Sequence, residues 1–221
     1  IGTGAGRWRV LQAVPDCGML DSSSPLTLVL ASGSPRRREL LERLGIVPLI
    51  EPADLDESVR PGEQPAAYVE RLAREKAATA LRSGVVVIAA DTAVVRDNEI
   101  LGKPTDQSDT IRMLTSMSGR SHQAVTGVTV SLVELGEPRI VAGVETTIVS
   151  MEELSAERIA WYADSGEPDD KAGAYGLQGA ASLFADRIEG SVTNVIGLPL
   201  ALLDELFVEL DLNLLDFRRV T

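Results

Sequence analysis

The sequence contains very little cysteine and histidine, the residues on which many metal sites and many nucleophilic enzymes depend. Its 221 residues include one cysteine, Cys17, and one histidine, His122. A single cysteine excludes an internal disulfide and any zinc site built on several thiolates. A Ser-His-Asp triad would have to use His122, and no G-x-S-x-G pattern supports one. Because sparse cysteine suits a reducing compartment, we expect a cytoplasmic location.

Positive charge, aromatic side chains and long apolar runs are scarce as well. The 33 acidic residues outnumber the 21 basic residues, and the net charge of −12 disfavours stable binding to nucleic acid or to an anionic membrane. No apolar run approaches the roughly 18 residues that a membrane span needs, and no signal-peptide pattern occurs. Hydrophobic residues make up 44% and aromatic residues 4%, which indicates an aliphatic core of the α/β type. Any anionic ligand must therefore be held by a local basic cluster.

The stretch around which the chain is organised predicts a strand, a tight turn and a helix. Residues 26–31 are apolar and partly β-branched, as in a buried strand. Ser34 can cap the helix and Pro35 suits its first position. Arginines at positions 36–38 then lie at the positive end of the helix dipole, where each cation is unfavourable unless an anion joins it. The pattern fits either a phosphate site or three solvated arginines on a surface helix.

The next segments carry acidic groups and one unusual lysine. The loop at 51–57 contains Asp54, Asp56 and Glu57, which are either a solvated turn or carboxylates that hold a divalent metal near a phosphate site. A helix is predicted over 65–83. Lys76 falls on its apolar stripe, so this side chain either snorkels to the surface or points into a cleft.

Residues 85–90 form the clearest buried strand, and Asp91 and Thr92 are predicted to end it. A carboxylate at the carboxyl end of a central strand lies where α/β sheets place their active sites, although it could also cap a turn. The pattern that follows predicts a hairpin that returns Lys103 towards Asp91.

The rest of the chain predicts further elements around one long loop. The loop at 165–179 is glycine-rich and irregular, which is typical of a functional segment. His122 is interpreted as the entry to a strand. Residues 1–24 lack periodicity and are interpreted as a disordered or non-native arm before a domain at 25–221. The remaining predictions are a helix capped by Thr105 or Asp106 and ended by Gly119, a half-exposed strand at 122–134, a strand at 141–151, a helix opened by Ser155, a strand at 181–188 and a helix at 199–210.

The unusual residues together suggest attack of water on a phosphoanhydride. They combine groups that bind phosphate with acids that could hold a metal. No G-x-x-x-x-G-K-[ST] motif is present, which excludes a P-loop enzyme. The set consists of Ser32, Ser34, Arg36, Arg37, Glu57, Lys76, Asp91, Lys103, Lys171 and Gln178.

Five motifs resemble those of the Maf family, whose members are nucleoside triphosphate pyrophosphatases first named as septum-formation inhibitors. The resemblance covers about residues 26–210, with the motifs in family order. They are Ala31-Ser-Gly-Ser-Pro-Arg-Arg37, Ala90-Asp-Thr92, Leu101-Gly-Lys-Pro104, Ser118-Gly119 with His122, and Asp170-Lys-Ala-Gly-Ala-Tyr-Gly-Leu-Gln-Gly179.

The resemblance implies a mixed, twisted β-sheet flanked by helices, with two lobes, a nucleotide-binding cleft and a homodimer. It implies Asp91 as the proton acceptor or metal-linked base, and it places Arg36, Thr92 and Gln178 among the residues that set base specificity. The other positions that match the family's pocket are Ser32, Arg37, Glu57, Lys76 and Lys103.

The predicted reaction is hydrolysis of a nucleoside triphosphate to a nucleoside monophosphate and pyrophosphate. A divalent cation, Mg²⁺ or Mn²⁺, would be held by Glu57 and Asp91, while Arg36 and Arg37 hold phosphates and Lys76 and Lys103 neutralise charge on the bridging oxygen. Gln178 offers a donor and an acceptor to the edge of a uracil or thymine ring.

The form of the motifs resembles the branch that acts on dTTP and UTP, rather than the branch that acts on 7-methyl-GTP. The resemblance also suggests a role in cleaning the nucleotide pool and in cell-division arrest. Two alternatives stay open, a non-catalytic nucleotide-binding regulator of septum formation and a nucleotidyltransferase. The latter class normally carries a longer Gly-rich loop and a further sugar-binding domain.

Overall fold

The computed structural model describes residues 26–219. The predicted arm at residues 1–24 lies outside the described residues. Within the described part of the chain, no helix is both long and apolar enough to cross a membrane.

One mixed sheet of seven strands forms the centre of the protein. Its order is β2-β1-β3-β5-β6-β7, with β4 pairing only with β3. β1 is parallel to β2 and β3, whereas the remaining pairs are antiparallel. The strands are β1 (Thr27–Leu30), β2 (Leu49–Ile50), β3 (Val85–Arg96), β4 (Glu99–Leu101), β5 (Ser121–Glu134), β6 (Glu137–Met151) and β7 (Ala185–Glu189).

Six α-helices cover the sheet among residues 26–219, together with four short 3₁₀ segments. They confirm the predicted α/β class of a mixed sheet flanked by helices. The helices are α1 (Pro35–Arg43), α2 (Pro65–Ala80), α3 (Gln107–Met117), α4 (Ala156–Ala163), α5 (Val192–Ile196) and α6 (Leu200–Glu209). The 3₁₀ segments are Glu167–Asp170, Ala172–Ala174, Ala180–Phe184 and Leu214–Phe217.

β3 takes part in separate apolar clusters along its length because successive side chains point to opposite faces. Val86 and Ile88 pack on one face with α1 and α6, which contribute Leu41 and Phe207. On the other face, the first half of the strand packs on the alanines of α2. Val94, near the far end, packs instead with α3, α4 and the segments around them. The strand thus joins two packed groups of helices, and a cleft lies between them.

The edge of β3 is open at the level of that cleft. One edge pairs with β5 without interruption from Val86 to Val95. On the other edge, β1 pairs through Ile88, and β4 begins at Val94. Residues 89–93 therefore have no strand beside them on that edge among the described elements. Side chains of both faces can reach one cleft through this gap.

Three predictions about strands were wrong in detail. Asp91 does not end a strand, since β3 continues to Arg96 because β5 provides a partner for every residue up to Val95. β5 is buried over most of its length, not half-exposed, because it lies in the middle of the sheet with helices on both faces. The predicted strand at 181–188 begins as a 3₁₀ segment, and β7 starts only at Ala185.

The helix predictions held, with small changes at the ends. α2 ends at Ala80 rather than at residue 83, and α6 begins at Leu200. Asp106, not Thr105, caps α3, because its side chain accepts a hydrogen bond from the Asp109 N–H. Ser155 caps α4 in the same way, through the Arg158 N–H.

Candidate active site

A cleft of about 600 Å³ opens at the gap in the sheet edge. It lies between the turn that precedes α1, the middle of β3 and the loop that follows α4. Every side chain that the family resemblance assigns to catalysis, binding or metal ligation lines it. These residues are Ser32, Arg36, Arg37, Glu57, Lys76, Asp91, Thr92, Lys103 and Gln178. Asp54 and Asp56 of the acidic loop at 51–57 do not line it, and Asp56 accepts hydrogen bonds from Ser58 instead.

Lys76 joins the two predicted metal-binding carboxylates. Its Nζ lies 2.6 Å from Asp91 Oδ1 and 2.6 Å from Glu57 Oε1. Lys76 and Asp91 are buried, whereas the Glu57 side chain is 45% exposed. The snorkelling alternative for Lys76 is therefore wrong: the ammonium points into the cleft and carries the charge that makes a buried carboxylate tolerable.

A glycine explains how α2 comes close enough for this contact. Gly127 on β5 lies directly opposite Asp91 in the sheet register. A Cβ atom at that position would overlap the backbone carbonyl of Val69 in α2. The missing side chain lets the backbone of the helix rest on the sheet beside Asp91, and Lys76 lies two turns further along α2.

Two side chains of α2 fix the loop that carries Glu57. The Tyr68 hydroxyl donates to the Glu57 carbonyl over 2.9 Å, and Arg71 Nη2 donates to the Ser58 carbonyl over 3.2 Å. Burial alone would raise the pKa of Glu57. The hydrogen bond and charge of Lys76, with smaller contributions from Lys103 and Arg37, outweigh it and hold this pKa below its usual value. Glu57 thus stays ionised at neutral pH.

Arg37 is buried, and its guanidinium connects three parts of the cleft by hydrogen bonds. Its Nε donates to the Gly197 carbonyl over 2.7 Å, Nη1 to Ser32 Oγ over 2.9 Å and Nη2 to Thr92 Oγ1 over 3.1 Å. Burial lowers the pKa of the guanidinium from its ordinary value. Thr92 Oγ1 lies 3.0 Å from Thr126 Oγ1, which extends the network to β5. The structure thus directs three of the Arg37 N–H groups to protein oxygens rather than to the open cleft.

The predicted cap of α1 is wrong in its chemistry. Ser34 occupies the N-cap position, but its side chain makes no capping hydrogen bond. Its N–H instead donates to Ser32 Oγ over 3.3 Å. Pro35 stands in the first turn as predicted, where its missing N–H costs nothing. The start of α1 therefore presents free backbone N–H groups to the cleft, which suits an anion.

Arg36 and Lys103 are the more accessible cations of the cleft. Arg36 reaches across to the loop after α4, where Nη1 donates to Asp170 Oδ2 over 2.8 Å. Lys103 follows the hairpin of β3 and β4, as predicted, and it makes no ion pair with the residues that the structure describes. Both cations can therefore face an incoming anion.

Gln178 is exposed in the same cleft, on the loop between α4 and β7. The glycines that flank it, Gly176 and Gly179, are close to side chains of the same loop. A Cβ at Gly176 would meet the Lys171 side chain, and one at Gly179 would meet the Glu167 carboxylate. These glycines let the loop pack on its own side chains.

The carboxylates of the cleft fit a divalent cation only together with a substrate. No group of three or more His, Cys, Asp or Glu side chains with metal-site spacing occurs within residues 26–219. Glu57 and Asp91, however, each place one oxygen against the same ammonium, so the two carboxylates lie close together and each has a second oxygen to offer a cation beside Lys76. Mg²⁺ is commonly held by one or two carboxylates plus phosphate oxygens and water. The donor set matches that pattern.

The family comparison agrees with this arrangement. The model of the family described as Maf-like protein matches residues 27–210. The chain belongs to the Maf-like family. It is 51% identical over 181 residues to the dTTP/UTP pyrophosphatase of Anaeromyxobacter sp. (strain Fw109-5), covering 79% of this chain and 84% of that protein. It is 50% identical over 185 residues to the dTTP/UTP pyrophosphatase of Chromobacterium violaceum, covering 80% and 91%.

Sequence reasoning missed several residues that shape the cleft of this Maf-like chain. Tyr68 and Arg71 escaped notice because nothing in the helical pattern of α2 shows that they bind the backbone of a loop. Asp170 belongs to a family motif, but its partner Arg36 is 134 positions away. His122 lies at the entry of β5, as predicted, buried and in contact with Tyr175. The family motifs were the only signal that could have singled out these last residues.

Proposed function

We propose that this protein is a nucleoside triphosphate pyrophosphatase that prefers dTTP and UTP. The observation that carries the proposal is the Lys76 ammonium between two carboxylates, placed beside a helix N-terminus in a cleft of nucleotide size. Relatives that are about 50% identical over most of the chain and are named dTTP/UTP pyrophosphatases support the substrate class. The enzyme is accordingly a hydrolase acting on a phosphoanhydride.

In this proposal Asp91 orients the attacking water and takes its proton. A new bond forms between the water oxygen and the α-phosphorus, while the bond from the α-phosphorus to the α,β-bridging oxygen breaks. Pyrophosphate leaves and the nucleoside monophosphate remains. Lys76 and Lys103 neutralise the charge that develops on the departing oxygen. Asp91 is a general base in the usual sense, which requires that it lie within hydrogen-bond reach of the water.

The remaining residues bind and orient the substrate. Arg36 and the N–H groups at the start of α1 hold the phosphates, and Ser32 and Thr92 present hydroxyls whose positions Arg37 fixes. Gln178 reads the edge of the base. Glu57 and Asp91 would hold Mg²⁺ or Mn²⁺, and such a cation would neutralise phosphate charge as the anhydride breaks.

The test is a panel of dTTP, UTP, CTP, ATP and GTP with Mg²⁺, with Mn²⁺ and with excess EDTA. We expect pyrophosphate and a nucleoside monophosphate, with dTTP and UTP turned over fastest and with loss of turnover in EDTA. Orthophosphate as the first product would contradict cleavage between the α and β phosphates. Tight nucleotide binding without turnover of any triphosphate would favour the non-catalytic regulator.

The homodimer, the cytoplasmic location and the link to septum formation stay predictions from the resemblance and the composition. Light scattering coupled to size exclusion measures the first of these directly. A mass near 23.6 kDa at micromolar concentration would count against a stable dimer.

A further inference from the structure

The loop that presents Gln178 is held on both sides by side-chain hydrogen bonds, one between buried residues and one to the half-buried Glu167. Before Gln178, the Tyr175 hydroxyl lies 2.6 Å from His122 Nε2 on β5. After it, the Ala180 N–H donates to Glu167 Oε2 over 3.0 Å. The span between the two anchors is residues 176–179. So short a span leaves the Gln178 backbone few positions.

The anchor on the amino-terminal side is rigid and specific. Tyr175 and His122 are both almost fully buried, at 5% and 3% exposure. Their rings meet edge to face, with centroids 5.2 Å apart. A hydrogen bond between buried groups is directional, and an unsatisfied partner would be costly, so the pair fixes the ring of Tyr175 and the backbone that leads to Gln178.

The anchor on the carboxyl-terminal side is Glu167, which bridges two elements. Its Oε1 accepts from the Tyr162 hydroxyl of α4 over 3.0 Å, while Oε2 accepts from the Ala180 N–H. Gly179 has no Cβ, and a side chain there would overlap the Glu167 carboxylate. The chain therefore turns tightly around this carboxylate immediately after Gln178.

None of these anchors is placed to contact the reacting phosphates. Neither His122, on β5, nor Glu167, in the 3₁₀ segment after α4, is among the residues that line the cleft. Tyr175 lines the cleft, yet its hydroxyl is occupied by His122. Their shared connection to the reaction is the loop itself.

We propose that His122, Tyr175 and Glu167 are positioning residues for base selectivity, which act by holding Gln178 in register with the edge of the base. This inference rests on the proposed function, since it assigns three residues to the recognition step of that same site. Because the anchors restrict the loop before substrate binds, the backbone that carries Gln178 loses little conformational entropy on binding. Loosening either anchor is expected to weaken discrimination between bases more than it weakens hydrolysis.

The experiment compares Tyr175→Phe and Glu167→Gln with wild type by kcat/KM for dTTP and for dCTP. Each variant removes one hydroxyl or one charge and keeps the size of the side chain. Glu157→Gln, at an exposed carboxylate on the first turn of α4, is the matched control. We expect the dTTP:dCTP ratio to fall about five- to tenfold in both variants and to stay unchanged in the control. When either substitution is combined with Gln178→Ala, the double variant should have the same dTTP:dCTP ratio as Gln178→Ala alone.

Binding of non-hydrolysable α,β-imido analogues of dTTP and dCTP separates the two proposals. Selective binding by wild type that weakens in the two variants supports the anchors even if no triphosphate is hydrolysed, a result that would reject only the proposed reaction. An unchanged ratio, or equal losses for both nucleotides, would show that the anchors serve stability alone and would overturn the inference. So would a further drop of the ratio in the Gln178→Ala background.

Discussion

The Lys76 ammonium lies 2.6 Å from the Asp91 carboxylate in the buried part of the cleft. The two residues come from α2 and β3 and form an ion pair that solvent barely reaches. Glu57 approaches the same ammonium from the more exposed side. Lys76 therefore contributes both to stability and to the proposed reaction. Mutations at Lys76 and at Asp91 should change stability and turnover by different amounts.

Replacing Lys76 by methionine should inactivate the enzyme and also destabilise it. Methionine suits an apolar stripe, but the substitution leaves Asp91 buried without its partner. Breaking such a pair typically costs about 3–5 kcal/mol. Chemical denaturation measures the loss, and adding Asp91→Asn to the Lys76→Met variant should restore part of the stability. A fully stable Lys76→Met protein would mean that water compensates Asp91.

Asp91→Asn should fold and lose turnover. The amide still offers an oxygen to Lys76, whose second partner, Glu57, remains in place. Loss of a general base is expected to cost about 10²–10⁴ in kcat. Pyrophosphate release measures kcat, and Asp97→Asn, an exposed residue in the turn of the same hairpin, is the control. Turnover near that of wild type would remove Asp91 from the proposed mechanism.

Gln178→Ala should reduce base selectivity. Loss of paired polar contacts at the edge of the base is expected to cost about 1–3 kcal/mol in binding the preferred substrate. That corresponds to a drop of roughly 5- to 150-fold in kcat/KM for dTTP, with a smaller drop for purine triphosphates. Steady-state kinetics over the nucleotide panel gives both numbers. Equal losses across the panel would assign Gln178 to the phosphates or to the loop instead.

His122 should make the protein less stable as the pH falls. Burial, helped by the nearby Arg96 charge, lowers the pKa of His122 to about 4. An unfolded histidine titrates near 6.5, so between these values the unfolded chain binds the proton more tightly and acid favours unfolding. This histidine alone should remove about 3 kcal/mol between roughly pH 7 and pH 4.

The comparison is between wild type and His122→Gln, whose amide can still bond to Tyr175. Urea unfolding at pH 7.5, 6.0 and 5.0 should show a steeper loss for wild type, because the variant has no imidazole to protonate. Carboxylates contribute a pH dependence to both proteins, so the difference between the two slopes is the quantity of interest. Parallel slopes would show that His122 titrates normally in the folded state.

Local patterns in the sequence were enough for most of the elements and for the membership of the site. The apolar run of β3, Pro35 at the start of α1 and the turn before Lys103 depend on residues only a few positions apart. The motifs contain most of the side chains that were predicted to act in the cleft, while Glu57 and Lys76 come from the acidic loop and from the apolar stripe of α2. The structure brings all of these side chains to the walls of the cleft. Residue type and short spacing carry this information because they reflect the intrinsic preferences of the chain.

The partners of the polar side chains were decided by the tertiary structure alone. Arg37 is adjacent to Arg36 in sequence, yet one is buried against Gly197 and Thr92 while the other reaches Asp170. Nothing in the triple arginine distinguishes them, because the difference arises from strands and loops that are 55–160 positions away.

The position of Asp91 shows the same division. The sequence identified its chemistry, but it also suggested that the strand stops there, since polar residues interrupt the apolar run. β5 continues the ladder past Asp91 and keeps the strand intact, while the early end of β1 opens the other edge. The sequence by itself determined which residues are available for chemistry. Only the packing of α2 and β5 around that open edge decided that Lys76 and Glu57 meet Asp91, because those contacts depend on the relative placement of elements that are distant in the chain.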